Sequence, residues 1–414
     1  MIFKRHFFLG LAAGRKVSAA RQLFAIGHRR DLEALGEALE ARYGGTAVLC
    51  KNGRSGLAVA LKAVFQRGDG IIVNGFTCYA VVESVKAAGC VPIYADISRE
   101  TLNFNGKTLA AACPSDTLRA AQAKSSRSAE HIAANVLPRG IIIQNTLGNP
   151  VDIVEIEKFA KKNGLLIIED LAHCAGVKYP DGREAGTVGV ATALSFGKDK
   201  SVDTTSGGAV VLRDAVFTKL EGLRSLARRG QAREPRGDGS ERRGPRVGKN
   251  ASLCDSLRAR WYPTLAGWCR GLARVHLCGA LMRLFVKLHF VEKSADNKLD
   301  LTRRCTKWQA KLALKQIQAL KKSGEGVIRE FYLVNDRDKC LAELKKAGYH
   351  FDGFWYEKPV SPERYYEKVH FPEADCPVAT EVAAQIINFP TYYKKAELKQ
   401  AYDIIKPYLV KESE

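Results

Sequence analysis

Two lysines, Lys198 and Lys200, lie in the stretch Ser195–Val211, SFGKDKSVDTTSGGAVV, where one apolar run ends and another begins. A free lysine amine, with a pKa of ~10.4, is protonated near neutrality and is a poor nucleophile. It does chemistry when its site lowers that pKa or holds it as an imine. A second stretch, Ile167–Gly176 (IIEDLAHCAG), leads from an apolar run into two acids, Glu169 and Asp170, with His173 three residues on. Acids at the carboxyl ends of parallel strands are placed to meet a ligand, whereas the bland reading of Asp170 is a cap on the next helix. A third stretch, Lys51–Gly56 (KNGRSG), joins a strand to a helix. Backbone N–H groups at a helix start attract phosphate, and Gly53 allows close approach. Arg54 and Ser55 add a charge and a hydroxyl.

These stretches need a scaffold, and the apolar periodicity supplies one. Asp31 caps a helix carrying Leu32, Leu35, Ala38 and Leu39, which ends at Gly44 and Gly45. A strand over Thr46–Cys50 follows, then a helix with Leu57, Leu61 and Val64, stopped by Gly68-Asp69-Gly70. Strands are expected at Ile71–Val73, Val91–Ala95, Gly140–Gln144, Leu165–Glu169, Ala193–Phe196 and Ala209–Leu212, with helices at Val81–Ala88 and Asp152–Lys162. This alternation predicts an α/β fold: a three-layer α/β/α large domain with a mostly parallel sheet, followed by a smaller C-terminal α+β domain. The expected divisions are an N-terminal arm over 1–30, the large domain over 31–214, a basic and apolar insertion over 215–298, and the small domain over 299–414.

The three stretches occur in the order phosphate turn, strand-end acid, lysine before a Gly-Gly strand start. A pyridoxal-phosphate (PLP) enzyme uses such parts, because a carboxylate against the pyridine nitrogen keeps the ring a good electron sink. The sequence resembles the DegT/StrS family of sugar aminotransferases, which have the aspartate-aminotransferase fold. The family's SGTAAL-type turn, EDAAQ or EDAAH segment, and SFxxxK followed by a GG strand correspond to Asn52–Leu57, Glu169–His173, and Ser195-Phe196 with Lys200. GFTCYAVVESV from Gly75, VPIYADI from Val91, RCTKWQAKLALKQI from Arg304 and IINFPTYY near Pro390 extend the likeness. It covers roughly 31–214 and 300–410.

The resemblance implies that PLP is held covalently by Lys200 rather than Lys198, with Lys200 then moving the proton. It implies that Asp170 pairs with the pyridine nitrogen, that His173 lies by the ring or its 3′-oxygen, and that Gly53, Arg54, Ser55 and Ser195 hold the phosphate. It also implies an amino-acid donor, glutamate in the first instance, a keto-sugar acceptor linked to a nucleotide, and a homodimer. A dehydratase branch of the family has His in place of the lysine, and this chain keeps Lys. Two positions depart from the pattern. Cys78 follows Thr77 where the family has a ring-stacking aromatic, with Tyr79 next, and Thr302 stands where an Asn reaches the neighbouring subunit's phosphate. Competing readings are a different PLP reaction on the same scaffold, or a basic membrane- or nucleic-acid-binding protein on a retained fold. Joint retention of Lys200, Asp170 and Ser195 weighs against a dead scaffold.

The chain has 414 residues, 46% hydrophobic and 26% charged, with a formal net charge of +21. Residues 221–250 hold nine Lys/Arg against four Asp/Glu, and 251–290 hold six against one, so this stretch supplies 10 of those charges. Its apolar part, 261–291, carries Trp261, Tyr262 and Trp268 among Arg270, Arg274, Arg283 and Lys287. That composition suits either packing over the active-site mouth or peripheral contact with an anionic membrane, and suits nucleic acid less. The 11 cysteines are scattered without CxxC pairs, so the expectation is no metal site, no disulfide framework and a reducing cytoplasm. No apolar run is long enough to span a bilayer. The run Phe7–Ala13 is short for a secretory leader and is followed by Arg15 and Lys16, which favours a packed arm or a surface segment.

Overall fold

Strands with successive apolar residues at their centres bury both faces there, and seven strands form the central sheet. The computed structural model describes residues 7–9, 26–113, 136–213, 250–251, 255–257, 259–262, 265, 284–285, 298–320, 328–351, 355–391 and 395–410. The sheet strands are β2 (Thr46–Cys50), β3 (Gly70–Asn74), β5 (Val91–Ala95), β6 (Pro138–Ile143), β7 (Leu166–Asp170), β8 (Ala191–Ser195) and β9 (Gly208–Leu212). Their spatial order is β2-β9-β8-β7-β6-β3-β5. Pairing is parallel from β5 across to β8, and β9 runs antiparallel to both β8 and β2.

The two-residue period of a strand sends neighbours to opposite faces. Ile72, Ile141 and Ile167 join one core with Leu35, Leu39, Ile156 and Ala310. Ile71, Ile142 and Ile168 join the other with Leu57, Leu61 and Val85. The first face is covered by α1 (Arg29–Tyr43), α5 (Ile153–Lys162) and α6 (Lys307–Ala319), the second by α2 (Gly53–Val64) and α3 (Tyr79–Ala87). This is the expected three-layer α/β/α architecture.

Element ends differ from expectation for local reasons. Helix α1 begins at Arg29, and Asp31 acts from its third position, accepting from the His28 N–H at 2.6 Å. Helix α2 stops at Val64, ahead of the Gly68 turn. Asp170 is the last residue of β7 itself, and its Oδ1 accepts from Ala172 N in a turn rather than capping a helix. Asp152 caps α5 through bonds from Val154 N and Glu155 N, a contribution of about 1 kcal/mol.

The C-terminal region has its own core. Strands β10 (Arg329–Leu333) and β13 (Ile386–Pro390) pair antiparallel. Val334, Cys340, Leu344, Ile387, Phe389 and Ile405 pack beneath α7 (Arg337–Lys346) and α9 (Lys395–Ile405). Phe76 and Leu147 of the large region share a further cluster with Tyr356, Val382 and Ile386. Strand β4 (Thr77–Cys78) pairs parallel with β12 (Val360–Ser361), and Ile328 N donates to Leu147 O at 3.0 Å. Strand β1 (Phe7–Leu9) pairs parallel with β11 (Tyr349–Phe351), so that part of the N-terminal arm packs on the C-terminal region. Arg270, Arg274, Arg283 and Lys287, on which the membrane expectation rested, lie outside the described residues. Among the described residues no helix is long and apolar enough to cross a membrane, and no His/Cys/Asp/Glu cluster is placed to hold a metal.

Candidate active site

The carboxyl ends of four parallel strands converge. Asn74 ends β3, Gln144 follows β6, Asp170 ends β7 and Ser195 ends β8, the edge where open α/β sheets place ligands. The loop after β8 then delivers Lys200. That loop is braced from two sides: Asp203 accepts from Asp199 N at 3.2 Å and Thr205 N at 2.9 Å, and its own backbone exchanges two bonds with the Gln316 side chain on α6.

Lys200 Nζ lies 4.3 Å from the centre of the Trp355 ring. Burial lowers its pKa from the ordinary lysine value; Cys78, Asp170 and Asp199 oppose this, and the Arg329 charge adds to it. The effect is to make the neutral amine more accessible. Lys198 points elsewhere, its Nζ 3.5 Å above the Tyr262 ring. The two lysines of the KDK sequence therefore occupy different environments, and only Lys200 stands with the strand-end acid.

Asp170 is buried, and burial raises its carboxyl pKa against the Ala172 N–H bond and the Lys200 charge. His173 is 3% exposed. Its Nδ1 accepts from Leu147 N at 3.2 Å, which places the proton of the neutral ring on Nε2. Burial, with Lys200 and Arg329 adding, holds its pKa well below the ordinary histidine value, so neutral is its state. Leu147 adopts φ 57°, a left-handed conformation uncommon for its type, at the residue whose N–H orients His173. Strain of that kind concentrates where surrounding structure fixes a site.

The turn before α2 is built by close approach. A side chain at Gly53 would bring its Cβ within 2.6 Å of Ser195 Cβ, and one at Gly208 would meet the Asn52 and Gly53 backbone at 2.5–2.7 Å. The first N–H groups of α2 are thereby set against Ser195, leaving a cradle suited to a phosphate. The side chains expected to help are engaged in holding the turn. Ser55 Oγ donates to Asn52 Oδ1 at 2.7 Å and accepts from Asp300 N at 3.0 Å, while Arg54 is ion-paired to Glu83.

Glu169, next to Asp170, faces the other way and is fully buried. Its carboxylate accepts from Tyr179 Oη at 2.8 Å and from the N–H groups of Gly186, Val188 and Gly189 at 2.6, 2.8 and 2.6 Å. It organises the loop between β7 and β8.

Sequence reasoning did not anticipate the wall supplied by the C-terminal region. Trp355 stacks on His173 with ring centres 5.1 Å apart, and Tyr356 stacks on Phe76 at 4.6 Å. Arg329, 1% exposed, lies with its Cζ 4.7 Å from the Trp355 ring centre. Beneath them Thr77 donates to Gln144, whose Nε2 donates to Phe76 O and Thr146 Oγ1 at 3.1 and 2.9 Å.

Comparison with known proteins follows the same lines. The DegT/DnrJ/EryC1/StrS aminotransferase family profile matches residues 26–258. A UDP-N-acetyl-3-dehydro-alpha-D-glucosamine 3-aminotransferase of Acidithiobacillus ferrooxidans is 26% identical over 86% of this chain and 83% of its own length. A GDP-perosamine synthase of Escherichia coli O157:H7 is 30% identical over 41% of this chain. Here the chain spans only 40% of the relative, and it spans 38% of a pleiotropic regulatory protein of Geobacillus stearothermophilus. Among solved structures, the putative sugar aminotransferase Spr1654 of Streptococcus pneumoniae in its PMP form superposes with TM-score 0.61 at 16% identity, covering 98% of both chains. DesV of S. venezuelae superposes with TM-score 0.59 at 21% identity, covering 97% and 98%. At these identities the superpositions establish the fold.

Proposed function

The chain belongs to the DegT/DnrJ/EryC1/StrS aminotransferase family, whose cofactor is PLP, and from that premise we propose that it moves an amino group from an amino acid, glutamate in the first instance, to the keto group of a nucleotide-linked sugar. The observation that carries this reading is the convergence of Lys200, Asp170 and His173 on one sheet edge beside the Gly53–Ser195 cradle. The acceptor class rests on relatives named for UDP- and GDP-linked sugars. A homodimer is part of the same reading and rests on the family likeness alone.

The residues fit the cofactor. The N–H groups starting α2 and the Ser195 hydroxyl would hold its phosphate, Asp170 would meet its ring nitrogen, His173 Nε2–H would donate to its phenolic oxygen, and Lys200 would hold it covalently. When bound, the cofactor supplies the electron sink for breaking the donor's Cα–H bond. Asp170 would supply the negative charge that keeps a proton on the ring nitrogen, and a bond to that N–H would offset the burial that raises its pKa. Lys200 as a neutral amine would take the proton from the donor carbon and return it one position along. A lowered pKa suits both halves of that transfer. Trp355 and Tyr356, packed on His173 and Phe76, would help keep bulk water from the ring.

The test is spectroscopic, then chemical. Purified protein loaded with PLP and dialysed is expected to keep a band near ~410–430 nm that shifts on adding L-glutamate. With nitrogen-labelled glutamate and a panel of UDP- and GDP-linked keto-sugars, mass spectrometry is expected to find the label in one amino-sugar. Retention of no band after dialysis would sink the reading.

A further inference from the structure

The insertion reaches the loop that delivers Lys200. Its residues 255–257 and 259–262 are helical, and Ala259 and Tyr262 lie beyond residue 258, where the family profile ends. This helix rests on α6. Ala259 clusters with Trp308 and Leu312, Arg260 Cζ lies 5.9 Å from the Trp308 ring centre, and Asp255 is ion-paired with Arg303 at 3.4 Å. Its other contacts are to the lysine loop. Ala259 O accepts from Thr205 Oγ1 at 3.3 Å, and Lys198 Nζ sits 3.5 Å from the centre of the Tyr262 ring. Lys198, Thr205 and Tyr262 are all buried. Gln316 of α6 holds the same loop at Asp203, so α6 and the insertion helix grip it together.

The loop needs that grip. Asp199, between the two lysines, has φ 60°, and Thr205 has φ 70°. Left-handed backbone is disfavoured for such residues, most of all for a β-branched Thr, and it persists where the surroundings fix it. On either side of Asp199 the lysines part, Lys198 to the Tyr262 ring and Lys200 to the Trp355 ring.

We propose that the insertion helix is a positioning element of the active site, and that Tyr262 withholds Lys198 so that Lys200 alone meets the cofactor. The inference rests on the PLP reading and deepens it by giving the insertion a part in choosing the lysine. Either amine would join the cofactor's aldehyde by the same step: the neutral nitrogen adds to the carbonyl carbon and one water leaves. Placement and protonation therefore decide between them. A ring face attracts an ammonium, more strongly where water is excluded, and a protonated nitrogen has no electron pair to give. Lys200 also has a ring beside it, but the Arg329 charge lies 4.7 Å from the centre of that ring, and burial lowers the Lys200 pKa.

The test reads which lysine carries the cofactor. PLP-loaded protein is reduced with borohydride, which fixes the C=N bond as an amine, and the pyridoxyl label is located by peptide mass spectrometry. In wild type the label is expected on Lys200 alone. In Tyr262→Ala about a tenth or more is expected on Lys198, and the spectral shift with L-glutamate is expected to slow about 10-fold. Tyr262→Phe, which keeps the ring face, is expected to match wild type within about 3-fold. Adding Lys198→Ala to Tyr262→Ala removes the competitor, and is expected to return the label to Lys200 alone and the rate to within about 3-fold of wild type. A ring that only stabilised the fold would lower the melting temperature without moving the label, and removing Lys198 would recover nothing. Tyr262→Leu, which keeps apolar bulk without the π face, carries the test if the Ala variant folds poorly. A label wholly on Lys200 in the Ala and Leu variants, or a rate loss that Lys198→Ala does not recover, overturns the inference and leaves the PLP reading standing. Wild-type protein with no label on either lysine overturns both.

Discussion

The sheet region, 46–212, and the C-terminal region, 328–408, meet at the site and contribute to it differently. From the sheet come Lys200, Asp170, His173 and Ser195, the groups proposed to move protons or hold the cofactor, each at or just beyond the end of a strand whose two faces are buried. From the C-terminal region come Arg329, Trp355, Tyr356 and Asn388, a wall of rings and one cation whose Tyr356 and Trp355 pack in the cluster shared with Phe76 and Leu147. The division teaches where change is felt. Reacting groups need placement to within a fraction of an ångström, and a doubly covered sheet provides it. The wall is carried on different elements from those groups but packs directly on His173 and Phe76, so a change in it is felt at the sheet edge.

The largest effect should separate the lysines within the sheet region. Lys200→Ala is expected to lower turnover by ~10⁴-fold or more, and borohydride reduction of wild type should fix the cofactor on Lys200. Lys198→Ala should keep most of the rate, because its amine sits over Tyr262. Peptide mass spectrometry reads the site directly, and a label on Lys198 would reverse the assignment. The pH dependence has a definite sign. Burial lowers the Lys200 pKa, so its capture of the cofactor should stay fast to lower pH than a surface lysine's and fail as pH drops through that depressed value.

The two adjacent acids sharpen the comparison at the next level. Asp170→Asn removes the charge proposed to face the ring nitrogen and is expected to cost ~10²-fold or more in turnover with the fold and melting temperature kept. Glu169→Gln should do the opposite. Three N–H groups and the Tyr179 hydroxyl point at that carboxylate, and an amide turns two donors toward them. The expected loss is about 3 kcal/mol of stability, seen by denaturant unfolding, with residual activity per folded molecule. If Asp170→Asn turned over like wild type, Asp170 would be only the acceptor for Ala172 N.

The sheet region was largely legible because its signals are local. Apolar runs of strand length, an acid pair at the end of one and SFxxxK between two others are fixed by strand-turn-helix geometry, and the three-layer fold followed from their alternation. The C-terminal wall was not legible. Arg329 reads as one basic residue in a chain with 65 Lys/Arg, and its placement depends on Asn388, 59 positions away, and on Trp355. The IINFPTYY stretch flagged Asn388 only as part of a likeness. Cys78 stands where the resemblance places an aromatic, with Tyr79 next, and nothing at that position pointed to Trp355, whose ring contacts Lys200 and His173. Ser55 and Arg54 show a second limit: residue type predicts that a side chain can meet a phosphate, but not that a neighbour has already claimed it.

Arg54 gives the smallest and most discriminating expectation. Its guanidinium, almost fully buried, is paired with Glu83 on α3, while Gly53 at the start of α2 lies against Ser195. If that pairing defines its job, Arg54 braces α2 against α3, and the helix start rather than the side chain holds the phosphate. Arg54→Gln should then lower stability by about 1–2 kcal/mol while the PLP dissociation constant changes by less than about 3-fold. Ser195→Ala, which takes a hydroxyl from the cradle, should weaken PLP by about 10-fold with little change in stability. Fluorescence titration with PLP, run beside thermal melts of the same samples, distinguishes the two. A 100-fold loss of PLP affinity in Arg54→Gln at unchanged melting temperature would move Arg54 from the brace to the phosphate. The cradle would then depend on a side chain that swings off Glu83 when the cofactor arrives.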